Sequence, residues 1–290
     1  MDFFNPDSKK RAAIRAAFDK EFPELQRTRL AKSILGEDID MYKIGRGERK
    51  ILFVGTHHGS EHITASLLYY FLFRIASSGE RICAFDKRLY LDTFSLYVVP
   101  MLNPDGAELS INGPFENPLS ERQRRMVGES GDFRRWQANA RGVDLNHNYA
   151  AGFAEYKKIE AERGIFAGRS LYSGEYPESE PESQAAASLA RTLDFSAIVS
   201  LHSQGEVIYH YRIDKSAAPV THLQKALGYS PDTPNDTARF GGFCDYTAGE
   251  LLIPSITIEV GKGENPLPES EYHRIKERIF YALVGFGASL

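Results

Sequence analysis

Four short β-rich runs in this chain end alike, with polar or ionisable groups at or just after their last apolar residues. "ILFVG" (51–55) is followed by His57, His58 and Glu61, and "LYVVP" (96–100) by "MLNPDG". "AIVSL" (197–201) is followed at once by His202, and "SITIEVG" (255–261) carries Glu259 one residue before its last valine. Helical patterns cover 8–20, 62–77, 180–193 and 270–285. Strands alternating with helices predict an α/β fold with a mixed, mostly parallel central sheet flanked by helices. In open sheets of that kind the binding crevice lies outside the carboxyl ends of the strands. The four polar endings therefore predict one site along one edge of the sheet.

Further strands are expected at "IDMYKIG" (39–45), "RLYL" (88–91) and "EVIYHY" (206–211). "NPDG" (103–106) reads as a turn, and the Gly/Pro/Asn-rich stretch 103–146 as a long functional loop. With no repeat and no linker, residues 1–34 are taken as a helical lead-in and 35–290 as one catalytic domain. The formal charge of −4, from 35 basic and 39 acidic residues, supplies no field for a nucleic acid or an anionic membrane. The one basic run, "ERQRR" (121–125), reads as a solvated loop. Cys83 and Cys244 are expected to stay free, as in a reducing compartment. No signal peptide is evident. The apolar run "ITASLLYYFLFRIA" is broken by Thr64, Ser66 and Arg74 and is too short for a bilayer, so it predicts a buried helix. A cytoplasmic location is the expectation.

His58 and Glu61 are three residues apart, so within a turn their side chains share a side. A third ligand from a distant strand end, His202, would complete two histidines and a carboxylate, a standard catalytic zinc shell with a fourth position left for water. Spacing alone allows other pairs, His57 with Glu61 or His58 with His62. The absence of H-E-x-x-H excludes a thermolysin-type helix. Glu259 alternates with Ile256, Ile258 and Val260, which by itself is the pattern of a half-solvated strand.

Taken together, six segments resemble the zinc carboxypeptidase family, of the carboxypeptidase A type. They are "HGSE" (58–61), "VPMLNPDG" (99–106), "RGVDLNHN" (141–148), "YSGEYPESEPES" (172–183), "SLHSQG" (200–205), and "GGFCDY" with "PSITIEVG" (241–261). "WQANARGVDLNHNY" and "SGEYPESEPES" make the chain most similar to the bacterial γ-D-glutamyl-L-diamino-acid peptidase branch. The resemblance implies one zinc ion on His58, Glu61 and His202, with Glu259 as the catalytic acid-base. His57 and His62 are then left to support the cage or line the cleft. Asn146 matches the asparagine that holds a substrate carboxylate. His147 stands where the family usually has arginine, Gln137 aligns with the arginine that supports the oxyanion, and Arg141 is its nearest replacement. Cys244 aligns with the residue lining the side-chain pocket. The implied activity is hydrolysis of amide bonds in small peptides, murein-derived peptides at the γ-D-glutamyl–diaminopimelate bond. The departures at 137 and 147 also admit a deacylase or protein deglutamylase of the same fold, or a catalytically weak zinc-containing module that binds peptides.

Overall fold

The computed structural model describes residues 1–113, 132–233 and 240–290. Its strands are β1 (Gln26–Lys32), β2 (Asp38–Ile44), β3 (Arg49–Gly55), β4 (Arg81–Ile82), β5 (Phe85–Asp86), β6 (Phe94–Val99), β7 (Ala197–His202), β8 (Val207–Tyr211), β9 (Ser230–Asp232) and β10 (Ser255–Glu259). β3 shows why the sheet lies at the centre. Successive side chains of a strand point to opposite faces. Ile51 and Phe53 enter one apolar cluster, while Leu52 and Val54 enter another. A strand buried on both faces needs a layer above and a layer below. Cutting the wholly buried Phe53 back to alanine would cost about 3–5 kcal/mol.

Among the described residues, eight strands form one sheet in the order β1-β2-β6-β3-β7-β10-β8-β9. The four middle strands, β6, β3, β7 and β10, run parallel to one another. β1 and β2 add antiparallel strands at one edge, and β8 pairs antiparallel with β10 at the other. β4 and β5 make a separate ribbon. The mixed, mostly parallel sheet flanked by helices is thus what the chain forms. The parallel quartet holds the four strands whose polar endings stood out in the sequence.

One face is covered by helices Ser8–Glu21, Ile63–Ser77, Ala218–Leu227 and Glu269–Ser289, which contribute Phe18, Leu68, Leu223 and Leu283 to the larger cluster. Helices Pro181–Thr192 and Phe243–Gly249 cover the other with Ala186, Ala190 and Phe243. No helix among the described residues is long and apolar enough to cross a membrane.

Capping explains where two expectations fail. "NPDG" opens the helix Pro104–Asn112: the Asn103 side chain accepts the Gly106 N–H at 2.9 Å, and proline sits in the first turn, where its missing N–H does no harm. "RLYL" lies inside the helix Lys87–Thr93, whose first turn is capped by Asp86 through the Leu89 N–H at 2.8 Å. The long stretch 103–146 therefore begins as a helix, and "ERQRR" lies outside the described residues. The residues before 35 supply more than a helix, since β1 pairs with β2 and Ile14 and Phe18 pack into the larger cluster.

Candidate metal centre

β3 ends at Gly55, where a side chain would meet the Pro100 carbonyl at 2.8 Å. The chain then passes His57 and His58 into the one-turn helix Gly59–Glu61, which feeds the helix Ile63–Ser77. That tight turn sets the His58 Nδ1 2.9 Å from Glu61 Oε1. β7 lies beside β3 in the sheet and ends at His202, whose Nδ1 is 3.0 Å from Glu61 Oε2. The Ser203 N–H donates to the same oxygen at 3.1 Å. One ligand atom from each of His58, Glu61 and His202 lies within 4.8 Å of the other two.

The alternative pairings are not assembled. His57 is fully buried, stacks on His202 with centroids 5.4 Å apart, and places its Nε2 3.1 Å from the Tyr149 hydroxyl. His62 is buried as well, its ring meets the edge of Phe4 at 6.5 Å, and burial pushes its imidazole down to about 4.

Asp144 completes the cage, and the sequence reading passed it over. Its Oδ1 lies 3.1 Å from His58 Nε2, and its Oδ2 accepts the Leu171 N–H at 2.9 Å. With Nε2–H donated to Asp144, the neutral imidazole turns a lone pair from Nδ1 towards the Glu61 carboxylate. Two acceptors 2.9 Å apart need a cation between them: a proton, which makes the ring an imidazolium, or a bound metal ion. The electrostatics record that demand. Burial lowers the His58 pKa, yet Glu61 and Asp144 lift it well above its ordinary value. Burial also raises Glu61, but His58 and His202 hold it down at about 2, and Asp144 is held low against the same burial by His58. Two imidazoles, a carboxylate and an acid orienting one of the rings are a fitting donor set for zinc.

Glu259 ends β10 as the register partner of His202 on β7. Paired positions of neighbouring strands turn their side chains to the same face, so Glu259 leans towards the cage. Burial first, and the Glu61 charge second, raise its carboxyl to about 8. The half-solvated pattern has another cause here: Thr257 on the same face is buried, because the helix Phe243–Gly249 lies over it. The polar alternation marks the side of the strand that faces the site.

Asn146 and His147 sit in the one-turn helix Leu145–His147, capped by Asp144. The Asn146 Oδ1 accepts the Phe243 N–H at 3.0 Å, leaving its NH2 available as a donor. The His147 ring stacks on Tyr156 at 4.1 Å, and its Nδ1–H donates to the Phe240 carbonyl at 2.8 Å. Gly241 is required there, since a side chain would meet the His147 carbonyl at 2.3 Å. The Gln137 carbonyl accepts N–H groups from Gly59 at 2.9 Å and Asn103 at 3.1 Å, which ties its segment to the metal turn. Arg141 goes elsewhere: its Nη1 is 3.6 Å from Glu180, beside a cavity of about 340 Å³ walled by Tyr172 and Tyr176. Cys244 is buried with its thiol towards the Ile256 carbonyl at 3.6 Å, and burial pushes it up to about 12.

A family model described as zinc carboxypeptidase matches residues 13–282. Gamma-D-glutamyl-L-diamino acid endopeptidase 1 of Lysinibacillus sphaericus is 32% identical over 262 residues, an alignment covering 88% of this chain and 65% of that protein. The chain thus spans just under two thirds of that relative's length. Bovine carboxypeptidase B is 24% identical over 289 residues, covering 91% of this chain and 65% of the relative. Among solved structures, bovine thrombin-activatable fibrinolysis inhibitor superposes with a TM-score of 0.69 at 19% identity, covering 97% of this chain and 96% of that one. Murein-tripeptide amidase MpaA from Escherichia coli O157 gives 0.56 at 21% identity, with 93% and 94% covered. The family match begins ahead of the first sheet strand and ends inside the last helix, and on that extent the chain belongs to the zinc carboxypeptidase family.

Proposed function

We propose that the protein is a zinc-dependent peptidase acting in the cytoplasm on small murein-derived peptides, at the γ-D-glutamyl–diaminopimelate bond. The observation that carries the hydrolase reading is the register pairing of Glu259 with His202, which sets a carboxylate beside the three-residue cage. The substrate class is supported by the printed activity of the Lysinibacillus relative. His58, Glu61 and His202 would hold the ion, with Asp144 fixing the His58 ring. Zinc in such a shell acts as a Lewis acid and lowers the pKa of its water to about 7. A cation in the cage would offset the Glu61 charge that helps raise Glu259, and the Glu259 carboxylate would then take a proton and hand it to the leaving amine, a role typically worth ~10²–10⁴-fold. The Asn146 NH2 orients a substrate carboxylate. His147, with its ring fixed between Tyr156 and the Phe240 carbonyl, presents Nε2 where an arginine fork is usual, which predicts a looser grip on that carboxylate.

The test is hydrolysis of L-Ala-γ-D-Glu-diaminopimelate by protein carrying one zinc per chain, with products read by mass spectrometry. A panel of N-acyl amino acids serves as the comparison. Cleavage of the tripeptide alone supports the proposal. Turnover confined to the acyl amino acids would make the protein a deacylase, and tight tripeptide binding without turnover would make it a binding module.

A further inference from the structure

We infer that Arg169 selects the γ-glutamyl linkage, by pairing with the free α-carboxylate that such a residue carries on the acyl side of the bond to be cut. This role rests on the peptidase reading above. An ordinary peptide bond uses up the α-carboxylate of its acyl residue. A γ-linked glutamyl residue keeps it, ionised at neutral pH. A guanidinium grips such an anion through two parallel hydrogen bonds.

Backbone contacts carry Arg169 to the metal centre. Its carbonyl accepts the N–H groups of Gln137 at 3.0 Å and Ala138 at 2.9 Å. The Gln137 carbonyl in turn accepts the N–H of Gly59, the residue after His58. Two residues further on, the Leu171 N–H donates to Asp144, the acid that holds the His58 ring. The Leu171 carbonyl accepts the Tyr156 hydroxyl at 2.8 Å. The backbone from 169 to 171 is therefore tied to both supports of His58. Asn146, assigned above to the carboxylate of the leaving side, is tied instead to the helix Phe243–Gly249.

Two further observations point to a ligand. Leu171 has a φ of 71°, a left-handed conformation that strains any residue but glycine, and its side chain is 44% exposed. Strain of that kind clusters where a site has to be held in one shape. The Arg169 side chain is exposed too, and among the described residues its guanidinium has no partner. The arginines of the neighbouring segment all face carboxylates: Arg134 is 3.0 Å from Asp132, Arg135 pairs with Glu264, and Arg141 is 3.6 Å from Glu180. A fixed backbone presenting one unpaired cation beside one exposed leucine suits an acyl residue with a carboxylate on a short apolar stem.

The probes are L-Ala-γ-D-Glu-diaminopimelate and the same tripeptide with its glutamyl α-carboxylate converted to the carboxamide, each incubated with zinc-loaded protein. Wild type should prefer the acid by at least about tenfold in kcat/KM, since hydrogen bonds between charged groups are the stronger kind. Arg169→Gln should bring that ratio to about one through loss on the acid, mostly in KM, and Arg169→Lys should recover part of it. Both variants should load one zinc and melt with the wild type, because the side chain they change is exposed. Equal turnover of the two peptides by wild type would overturn the role of Arg169. So would a ratio that survives Arg169→Gln, or a loss that falls on both peptides alike. A ratio abolished by Arg141→Gln instead would overturn it as well, and would move the carboxylate site to the cavity beside Tyr172. Cleavage of neither peptide would overturn the peptidase reading itself, and this role with it.

Discussion

Two groups of buried acids in this chain are held in opposite ways. In the metal cage, Glu61 and Asp144 face the imidazoles of His58 and His202, and both carboxyls stay ionised against their burial. Around the start of the helix Pro181–Thr192, Glu180, Glu182 and Asp105 are buried too. Their partners there are neutral: the Asn139 NH2 donates to Glu180 at 2.8 Å and to Glu182 at 3.3 Å, and Ser33 donates to Asp105 at 2.7 Å. Arg141 reaches this group only at its margin. Burial consequently drives Glu182 up to about 8 and raises Asp105. What faces a buried acid decides whether it keeps its charge or its proton. The first group is arranged around a cation, and the second around shared hydrogens. Glu259 belongs with the second by its raised pKa and with the first by its position.

The largest effect should come from Glu259→Gln. It keeps the shape and removes the proton acceptor, so kcat should fall by ~10²–10⁴-fold while zinc content is retained. A variant that loses its zinc would show instead that Glu259 is part of the cage.

Glu182→Gln comes next. Glu182 keeps its proton in the fold up to about pH 8, whereas an unfolded glutamate gives it up near 4.5. Its burial therefore lowers stability progressively as pH rises from about 4.5 to about 8, and adds no pH dependence outside that window. Glutamine has no proton to keep. Relative to wild type, the variant should gain on the order of a few kcal/mol between pH 5 and pH 8 in urea melts. Parallel stability curves would remove the contrast between the two acid groups.

Asp144→Asn should weaken zinc binding about 10–100-fold in competition with a chromophoric chelator, because His58 loses the acid that fixes its tautomer. An unchanged affinity would leave Asp144 a structural cap and no more. Asn146→Ala should have the smallest effect, raising KM about tenfold through loss of one hydrogen bond to a charged group, worth about 1.5 kcal/mol. A peptide with an amidated C-terminus should show no such change if Asn146 holds the terminal carboxylate.

The sheet edge was legible in the sequence because apolar strands announce where they stop. The polar residues after β3, β6 and β7, and the glutamate closing β10, needed no knowledge of the fold to be grouped. The choice of His58 over His57 was not legible from spacing, since both lie within reach of Glu61 along the chain. It is made by the placement of β7 beside β3, which brings His202 to Glu61 and packs the His57 ring behind it. Asp144 left no periodic signal, because it acts from an irregular turn 86 residues away from the histidine it holds. "RLYL" was too short for its period to be read, and the Asp86 cap settled its conformation. β1 was missed for the opposite reason: it lies at an edge, alternates only weakly, and exposes much of its length.

One consequence follows from the ladder between β7 and β10. The span from Glu259 to the cage is inherited from five consecutive rungs, Ser255 with Ile198 through Glu259 with His202, rather than adjusted by a loop. Sliding β10 by a single position would bring Ile258 or Val260 to the cleft and send the carboxylate into the apolar layer on the far side. With Glu259 in its proposed role, catalytic alignment and correct strand pairing are one event, and a misregistered chain would be inert as well as unstable.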